Sequence, residues 1–583
     1  MKELLRRFVF PAYGTRTLFA VLAKSVEVIG DLLMPLIIAR MIDVGVQSGN
    51  VYDIIRYGCL LVLIALVGFG FTIFCQYQAS IVAQGSGTAM RNALFAKTQE
   101  LSSADVHQLG TDTLITRLIN DVNQVQVTVA LGIRQLIRWP LLAAGSLIAT
   151  LVIDPRLGGI FLIATLIVGS VFWFVIVRSV VLFHALQESL DRVSRFMREM
   201  LSGVRVIRAF RREDTERARF TEAVGAQTDK ATAAANYSAL LNPATFLVMY
   251  GAVALVLWFA APQITSHTLS SGSIIALLSY MTQTLLAVGY IANLMLIFTR
   301  GTASGRRVLE VLNTKAALSD REKSSSSLSR QECDHTPALE LRDVTLVYDG
   351  GGEPALSHIS LTVPAGSSLG IIGGTGSGKS SLAKLLLRLY DPEEGSVKIF
   401  GRASTQYAFS QLRHLVSFVP QHASLVTGTI RTNLQWRDAH ATDKDLWNAL
   451  TYAQAADFVR EKPQQLDSVV EAGGKNFSGG QRQRLTIARA LVGNPRVIVL
   501  DDSASALDFA TDARLRAALQ TLHSKMTSVI ISQRVAAVMQ VDQILVLDHG
   551  RQVGLGSHQE LLATCPLYKE ICLSQLRPEE VGA

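Results

Sequence analysis

Six apolar stretches, each long enough to cross a bilayer as a helix, occupy most of the first 300 residues. A spanning helix needs about 20 mostly apolar residues, because the hydrocarbon core is about 30 Å thick and a helix rises about 1.5 Å per residue. The stretches run over residues 17–42, 54–82, 127–153, 157–183, 241–263 and 272–299. Their connections alternate in character. "DVGVQSGNVYD", "DPR" and "QITSHTLSSG" carry almost no Lys or Arg, whereas residues 84–126 and 184–240 are long and charged. The second long loop alone holds Arg192, Arg195, Arg198, Arg205, Arg208, Arg211, Arg212, Arg217, Arg219 and Lys230. Basic residues collect on the cytoplasmic side of a bilayer. The long loops, both termini and everything after residue 300 are therefore expected in the cytoplasm, and the chain is expected to be a multi-pass protein of the cytoplasmic (inner) membrane, with membrane lipid as its surroundings. The formal charge is +8, but the basic residues gather in loops between apolar spans, so no nucleic-acid partner is expected.

Both long loops have a helical pattern, as in "RFMREMLSGVRVIRAFRRED", and helices running past the bilayer would carry their turns tens of ångströms into the cytosol. Within the spans, Lys24, Glu27 and Asp31 fall three and four residues apart on one helix face. They can line a substrate path or pair with each other. Arg134 and Arg138 are expected to snorkel to water from the inner end of the third span, and Tyr280, Gln283, Tyr290 and Asn293 are candidates for a central path. The five cysteines have no zinc or disulfide spacing.

After residue 312 the character changes. A serine-rich linker, 313–338, precedes a domain at 339–583 in which short β-rich runs alternate with helical ones, an α/β pattern. The expected fold is thus an all-α transmembrane domain over 1–312 followed by an α/β nucleotide-binding domain. Its strongest motif is "GGTGSGKSS", Gly373, Gly374, Thr375, Gly376, Ser377, Gly378, Lys379, Ser380 and Ser381, between a strand-like and a helix-like run. Glycines at these positions let backbone N–H groups curl around phosphate oxygens, helped by the positive end of the following helix. Lys379 would reach the terminal phosphates and the Ser380 hydroxyl would ligate Mg2+. Asp501, at the end of "RVIVL", would complete the metal site. A second anion-friendly helix start appears at Ser478, Gly479, Gly480 and Gln481. Two such starts in one chain suggest two chains arranged head to tail, each lending one to a shared ATP.

Over essentially its whole length the sequence resembles the ATP-binding cassette (ABC) transporter family, as a half-transporter of the exporter type. The resemblance rests on "GGTGSGKSS" (Walker A), "FVPQ" (Q-loop), "NFSGGQ" (signature), "VIVLDD" (Walker B), "SALD" (D-loop) and "SVIISQR" (switch loop). It implies that Tyr348 stacks on adenine, that Gln421 joins the metal shell and couples to the membrane helices, and that Asp508 contacts the opposite domain. Hydrolytic members carry Glu after the Walker B Asp and His in the switch loop. Here Asp502 and Gln533 hold those catalytic positions. Asp is one methylene shorter, placing its carboxylate about 1.5 Å back, and Gln carries no charge. ATP is therefore expected to bind this chain's own site but to be hydrolysed poorly, while the intact signature serves a non-identical half-transporter with both residues in place. The function expected is ATP-driven export of small amphipathic substrates or drugs by a heterodimer. An importer on the exporter scaffold (siderophore-like), a lipid or peptide flippase, a homodimeric exporter, and an ATP-regulated channel share these motifs.

Overall fold

The computed structural model describes residues 1–266, 268–318, 336–348, 352–503, 506–522 and 526–576. Most of the expected linker, with Cys333, and Ser505 of "SALD" lie outside them. The chain divides into two compact units, one formed by Met1–Gln99 with Asp112–Thr314 and the other by Glu100–Thr111 with Lys315–Ala583.

The first unit is all helix. Its principal elements are α1 (Phe10–Arg40), α2 (Val51–Glu100), α3 (Val122–Gln135), α4 (Arg138–Ile153), α5 (Pro155–Ser202), α6 (Glu213–Ala239), α7 (Leu241–Thr265) and α8 (Ser271–Asn313). Helices α2 and α5 reach 50 and 48 residues, about 75 Å and 72 Å at the standard rise. The long charged loops are thus continuations of spanning helices. Among the described residues five helical runs are long and apolar enough to cross a membrane. The sixth expected span, α1, falls short on composition because it carries Lys24, Glu27 and Asp31. The α4–α5 turn is built from "DPR": Asp154 Oδ1 accepts the N–H groups of Arg156 and Leu157 at 2.8 and 2.9 Å, and Pro155, lacking an N–H, opens the helix. Leu157, Phe161 and Val168 of α5 pack with Met249 and Val256 of α7 and Leu277 of α8.

The structure bears out the pairing of Lys24 with Glu27 and changes the reading of other polar residues in the spans. Lys24 Nζ donates to both carboxylate oxygens of Glu27, at 2.8 and 2.6 Å. Arg138 does not snorkel; it pairs with Glu27 and, at 3.1 Å, with Asp31. Arg134 instead donates to the Ser80 hydroxyl at 2.6 Å. Tyr280 faces no path, being fully buried with its hydroxyl donating to the Leu32 carbonyl at 2.6 Å.

The second unit is built on a ten-stranded sheet. Its strands are β1 (Leu339–Leu346), β2 (Leu356–Val363), β3 (Ser368–Ile372), β4 (Glu394–Ile399), β5 (Arg402–Ala403), β6 (Val416–Val419), β9 (Val497–Asp501), β10 (Thr527–Ile531), β11 (Gln543–Asp548) and β12 (Arg551–Gly556), with β7 (Gly428–Thr429) and β8 (Val469–Val470) forming a separate ribbon. The order is β5-β4-β1-β2-β12-β11-β3-β10-β9-β6. The first four strands are antiparallel, whereas β11, β3, β10, β9 and β6 run parallel. A parallel strand is covered on both faces and reads as a continuous apolar run; "SLGII" and "VIVLD" are buried at every position. Ser102 and Asp105 form a capping box at the start of a short helix, Ser103–Leu109, and Asp105 Oδ2 also accepts the N–H of Ala317 at 3.1 Å. That pairing ties the excursion at 100–111 to the polypeptide entering the second unit.

Candidate functional site

The register of the parallel half sets the site. Ile371 of β3 pairs with Ile531 of β10, Ile531 with Asp501 of β9, and Leu500 with Val419 of β6. The four strands therefore end level, and the segments leaving their carboxyl ends converge, as expected for ligand sites in open α/β sheets. These segments enclose a cavity of about 320 Å³ lined by residues 375–381, Gln421, Asp501, Asp502, Ser532 and Gln533, with Ala355 and Ile531.

The loop after β3 leads into α9 (Lys379–Leu386). Gly378, immediately before that helix, has φ of +97°, and a Cβ there would meet the Ala355 carbonyl oxygen at 2.7 Å. No other residue satisfies both conditions without strain. Lys379 Nζ folds back on its own loop, donating to the carbonyls of Gly373 and Gly374 at 2.8 and 2.6 Å. Ser380 Oγ donates to Asp501 Oδ1 at 3.3 Å. Burial pushes the Lys379 ammonium below its ordinary range, opposed by Asp501 and Asp502. Burial likewise pushes the Asp501 carboxyl up, opposed chiefly by the Ser380 hydrogen bond. A cavity that penalises isolated charge of both signs favours a polyanion and a cation arriving together. The oxygen donors of Ser380, Asp501 and Gln421 suit a hard divalent cation such as Mg2+.

Asp502 begins the turn after β9 with φ of +43°, in the left-handed region that non-glycine residues seldom occupy. Its N–H donates to the Ile531 carbonyl at 2.9 Å, and its Oδ2 accepts from Gln421 Nε2 at 3.2 Å. The amide oxygen of Gln421 is then the atom left to face a cation. Gln533 lies on the cavity wall, and its carbonyl accepts from Gln575 Nε2 at 2.8 Å.

The remaining expected residues lie outside this lining. Tyr348 donates its hydroxyl to Ser381 Oγ at 2.9 Å and meets Tyr390 edge-on, with centroids 5.0 Å apart. Lys384 Nζ sits 5.2 Å from the Tyr348 ring centroid. Ser478 caps α10 (Gly479–Leu491): its hydroxyl accepts the Gln481 N–H at 3.3 Å, and Gln481 Oε1 accepts the Ser478 N–H at 3.1 Å. Gly480 lies beside the "SALD" turn, where a Cβ would come 3.3 Å from the Ala506 carbonyl oxygen. Asp508 caps its own helix, α11 (Phe509–Gln520), accepting the Thr511 N–H at 2.9 Å. The structure thus brings residues 375–381, Gln421, Asp501, Asp502 and Gln533 to one cavity and leaves the second helix start outside its lining. Sequence reasoning missed the Lys379 fold-back and the left-handed backbone of Asp502.

Residues 17–288 match the ABC transporter transmembrane region and residues 356–505 match the ABC transporter family. The chain is 34% identical to an ABC transporter ATP-binding protein of Mycobacterium tuberculosis, with 99% of each chain covered. This chain belongs to the ABC transporter family. It is an ABC half-transporter in which a transmembrane region and one ATP-binding domain share a polypeptide. An ABC transporter ATP-binding protein of Bacillus subtilis is 33% identical with 96% of each chain covered. An ATP-dependent lipid A-core flippase of Desulfotalea psychrophila is 31% identical, covering 86% of this chain and 87% of the flippase. The fold of this ABC half-transporter also matches a bacterial Atm1-family ABC exporter with ATP bound, at a TM-score of 0.79 and 23% identity, over 97% and 98% of the two chains. Its fold is therefore of the exporter type.

Proposed function

We propose that this half-transporter pairs with a second, non-identical one and that the pair uses ATP to export amphipathic molecules from the cytoplasm. In this reading its own cavity holds ATP with little hydrolysis. Residues 373–381 would cradle the phosphates, Tyr348 would meet the adenine, and Ser380, Asp501 and Gln421 would hold Mg2+, which neutralises phosphate charge when bound. Ser478 to Gln481 would clamp the partner's nucleotide, with Asp508 reaching the opposite domain. ATP between the two domains would favour their closed arrangement only as far as it prefers that state. Hydrolysis at the partner's site would reset the cycle.

The observation that carries the reading is the cavity's own composition. It gathers residues 375–381, Gln421 and Asp501, yet the two positions assigned to hydrolysis hold Asp502, engaged by Gln421, and the uncharged Gln533. Loss of a positioned base costs about 10²- to 10⁴-fold in rate. A lipid flippase is the second reading, favoured by similarity to a chain that bears that name.

The test is co-purification with a candidate partner followed by ATPase assays with substitutions on each side. Removing the partner's Walker B glutamate is expected to abolish turnover, and Asp502→Ala to change it little. A complete loss of turnover in Asp502→Ala would make Asp502 a working base and overturn the assignment.

A further inference from the structure

The membrane-spanning unit holds a polar cluster drawn from three helices at a common depth. Counted at about 1.5 Å per residue from the helix ends next to the short connections, Asp31 lies about 22 Å from residue 46, Arg138 about 22 Å from residue 153, and Gln283 about 18 Å from residue 271. All three fall within a hydrocarbon core of about 30 Å. Gln283 Nε2 donates to the Asp31 carbonyl at 3.4 Å, holding α8 against α1.

Two of the cluster's four charges are sealed and two are accessible. Lys24 and Glu27 are only 3% and 5% exposed and are joined by a hydrogen bond, and Glu27 also pairs with Arg138. The side chains of Arg138 and Asp31 retain 26% and 28% exposure, with Nη2 and Oδ2 3.1 Å apart. A charge facing lipid at mid-span costs about 2.5–3.5 kcal/mol, so this accessible pair marks a wall turned toward a polar path. An aromatic platform adjoins it: Trp139 stacks on Tyr290 with centroids 4.1 Å apart and planes 5° from parallel, and Tyr290 keeps 49% exposure. Two buried donors behind it, Arg138 Nε and Trp139 Nε1, have no acceptor among the described residues.

We propose that Asp31, Arg138 and Tyr290 form a substrate subsite selective for amphipaths with a zwitterionic headgroup. Asp31 would take the ammonium, the partly exposed Arg138 guanidinium would take the phosphate or carboxylate, and the Tyr290–Trp139 platform would take the apolar part. The four formal charges sum to zero, so a headgroup of single sign meets one accessible group that repels it. This subsite rests on the transport reading above and gives it a substrate class.

The test uses the full-length chain in a nonionic detergent and equilibrium binding of four labelled probes. These are lauroyl lysophosphatidylethanolamine, the dipeptide leucyl-phenylalanine, dodecyl phosphate and dodecyltrimethylammonium. At least one zwitterion is expected to bind tenfold or more tighter than either singly charged probe, and which one binds separates a lipid from a peptide source. Asp31→Asn is expected to weaken the zwitterion about tenfold and to strengthen dodecyl phosphate by a similar factor. Equal affinities throughout, tightest binding of dodecyl phosphate, or an unchanged ranking in Asp31→Asn overturns the proposal. Binding of a fluorescent ATP analogue to the same samples reports folding. It also separates failure of the transport reading, seen as absent ATP binding, from failure of headgroup selection. If Asp31→Asn loses ATP binding, Tyr290→Leu on the exposed platform serves instead: at least fivefold weaker zwitterion binding supports the subsite and unchanged affinity refutes it.

Discussion

Lengthening Asp502 by one methylene and giving Gln533 a ring, in the double variant Asp502→Glu/Gln533→His, reverses both departures at the ATP cavity. The backbone at Asp502 is fixed by its N–H bond to Ile531, at 2.9 Å, so the change moves only the carboxylate. The added methylene advances it by about 1.5 Å. A displacement of about 1 Å between reacting groups is worth about 10² in rate, and a well-placed general base about 10²–10⁴. The single change Asp502→Glu is therefore expected to raise the hydrolytic step about 10²-fold, and the double change up to about 10⁴-fold, or roughly 2.7 to 5.4 kcal/mol of barrier. The assay is single-turnover release of phosphate from radiolabelled ATP by the purified full-length chain, with ATP affinity measured in parallel. Affinity is expected to stay within a few fold, because Lys379, Ser380 and Asp501 are untouched. A wild-type chain that already turns over within tenfold of the double variant would refute the reasoning.

Two further outcomes follow from the second unit. Ser478→Ala removes the capping box of α10 and should cost about 1 kcal/mol of stability. It should also slow ATP turnover of the assembled pair while leaving ATP affinity at this chain's own Lys379 site unchanged, read by nucleotide binding to the isolated chain. His558, 9% exposed, shares a 2.7 Å hydrogen bond with the Tyr568 hydroxyl, and burial lowers its pKa from the ordinary value. The unfolded chain therefore takes up a proton that the folded chain refuses. The associated stability is fully present above about pH 6.5 and is lost as pH falls through the lower folded value. Thermal midpoints should fall below pH 6.5 in the wild type, and His558→Gln should flatten that slope; parallel profiles would rule the histidine out.

That residues 375–381 and Asp501 meet at one cavity was legible because phosphate and cation chemistry dictates local spacing: glycines, a lysine and a hydroxyl within nine residues, and an aspartate ending a buried strand. The spans were legible by length and hydropathy, except that three charges in α1 dilute the signal there. The pairing of Lys24 with Glu27 was legible from their spacing, but their further partner, Arg138, was not. Arg138 is 107 residues from Asp31, and their meeting depends on how α1 and α4 pack, which periodicity along either helix does not encode. Tyr280 was misread for the same reason, since its carbonyl acceptor belongs to another helix. The left-handed turn at Asp502 was hidden because side-chain type only weakly restricts φ.

The bond from Ala317 to Asp105 gives the second unit a staggered birth. Residues 100–111 leave the ribosome about 200 residues ahead of the rest of that unit, with four further apolar segments still to be inserted between. Ser103–Leu109 must therefore wait, with the Asp105 carboxylate lacking the donor N–H, until nascent Ala317 arrives. A fragment that starts at residue 315 keeps Ala317 but never receives the Asp105 acceptor.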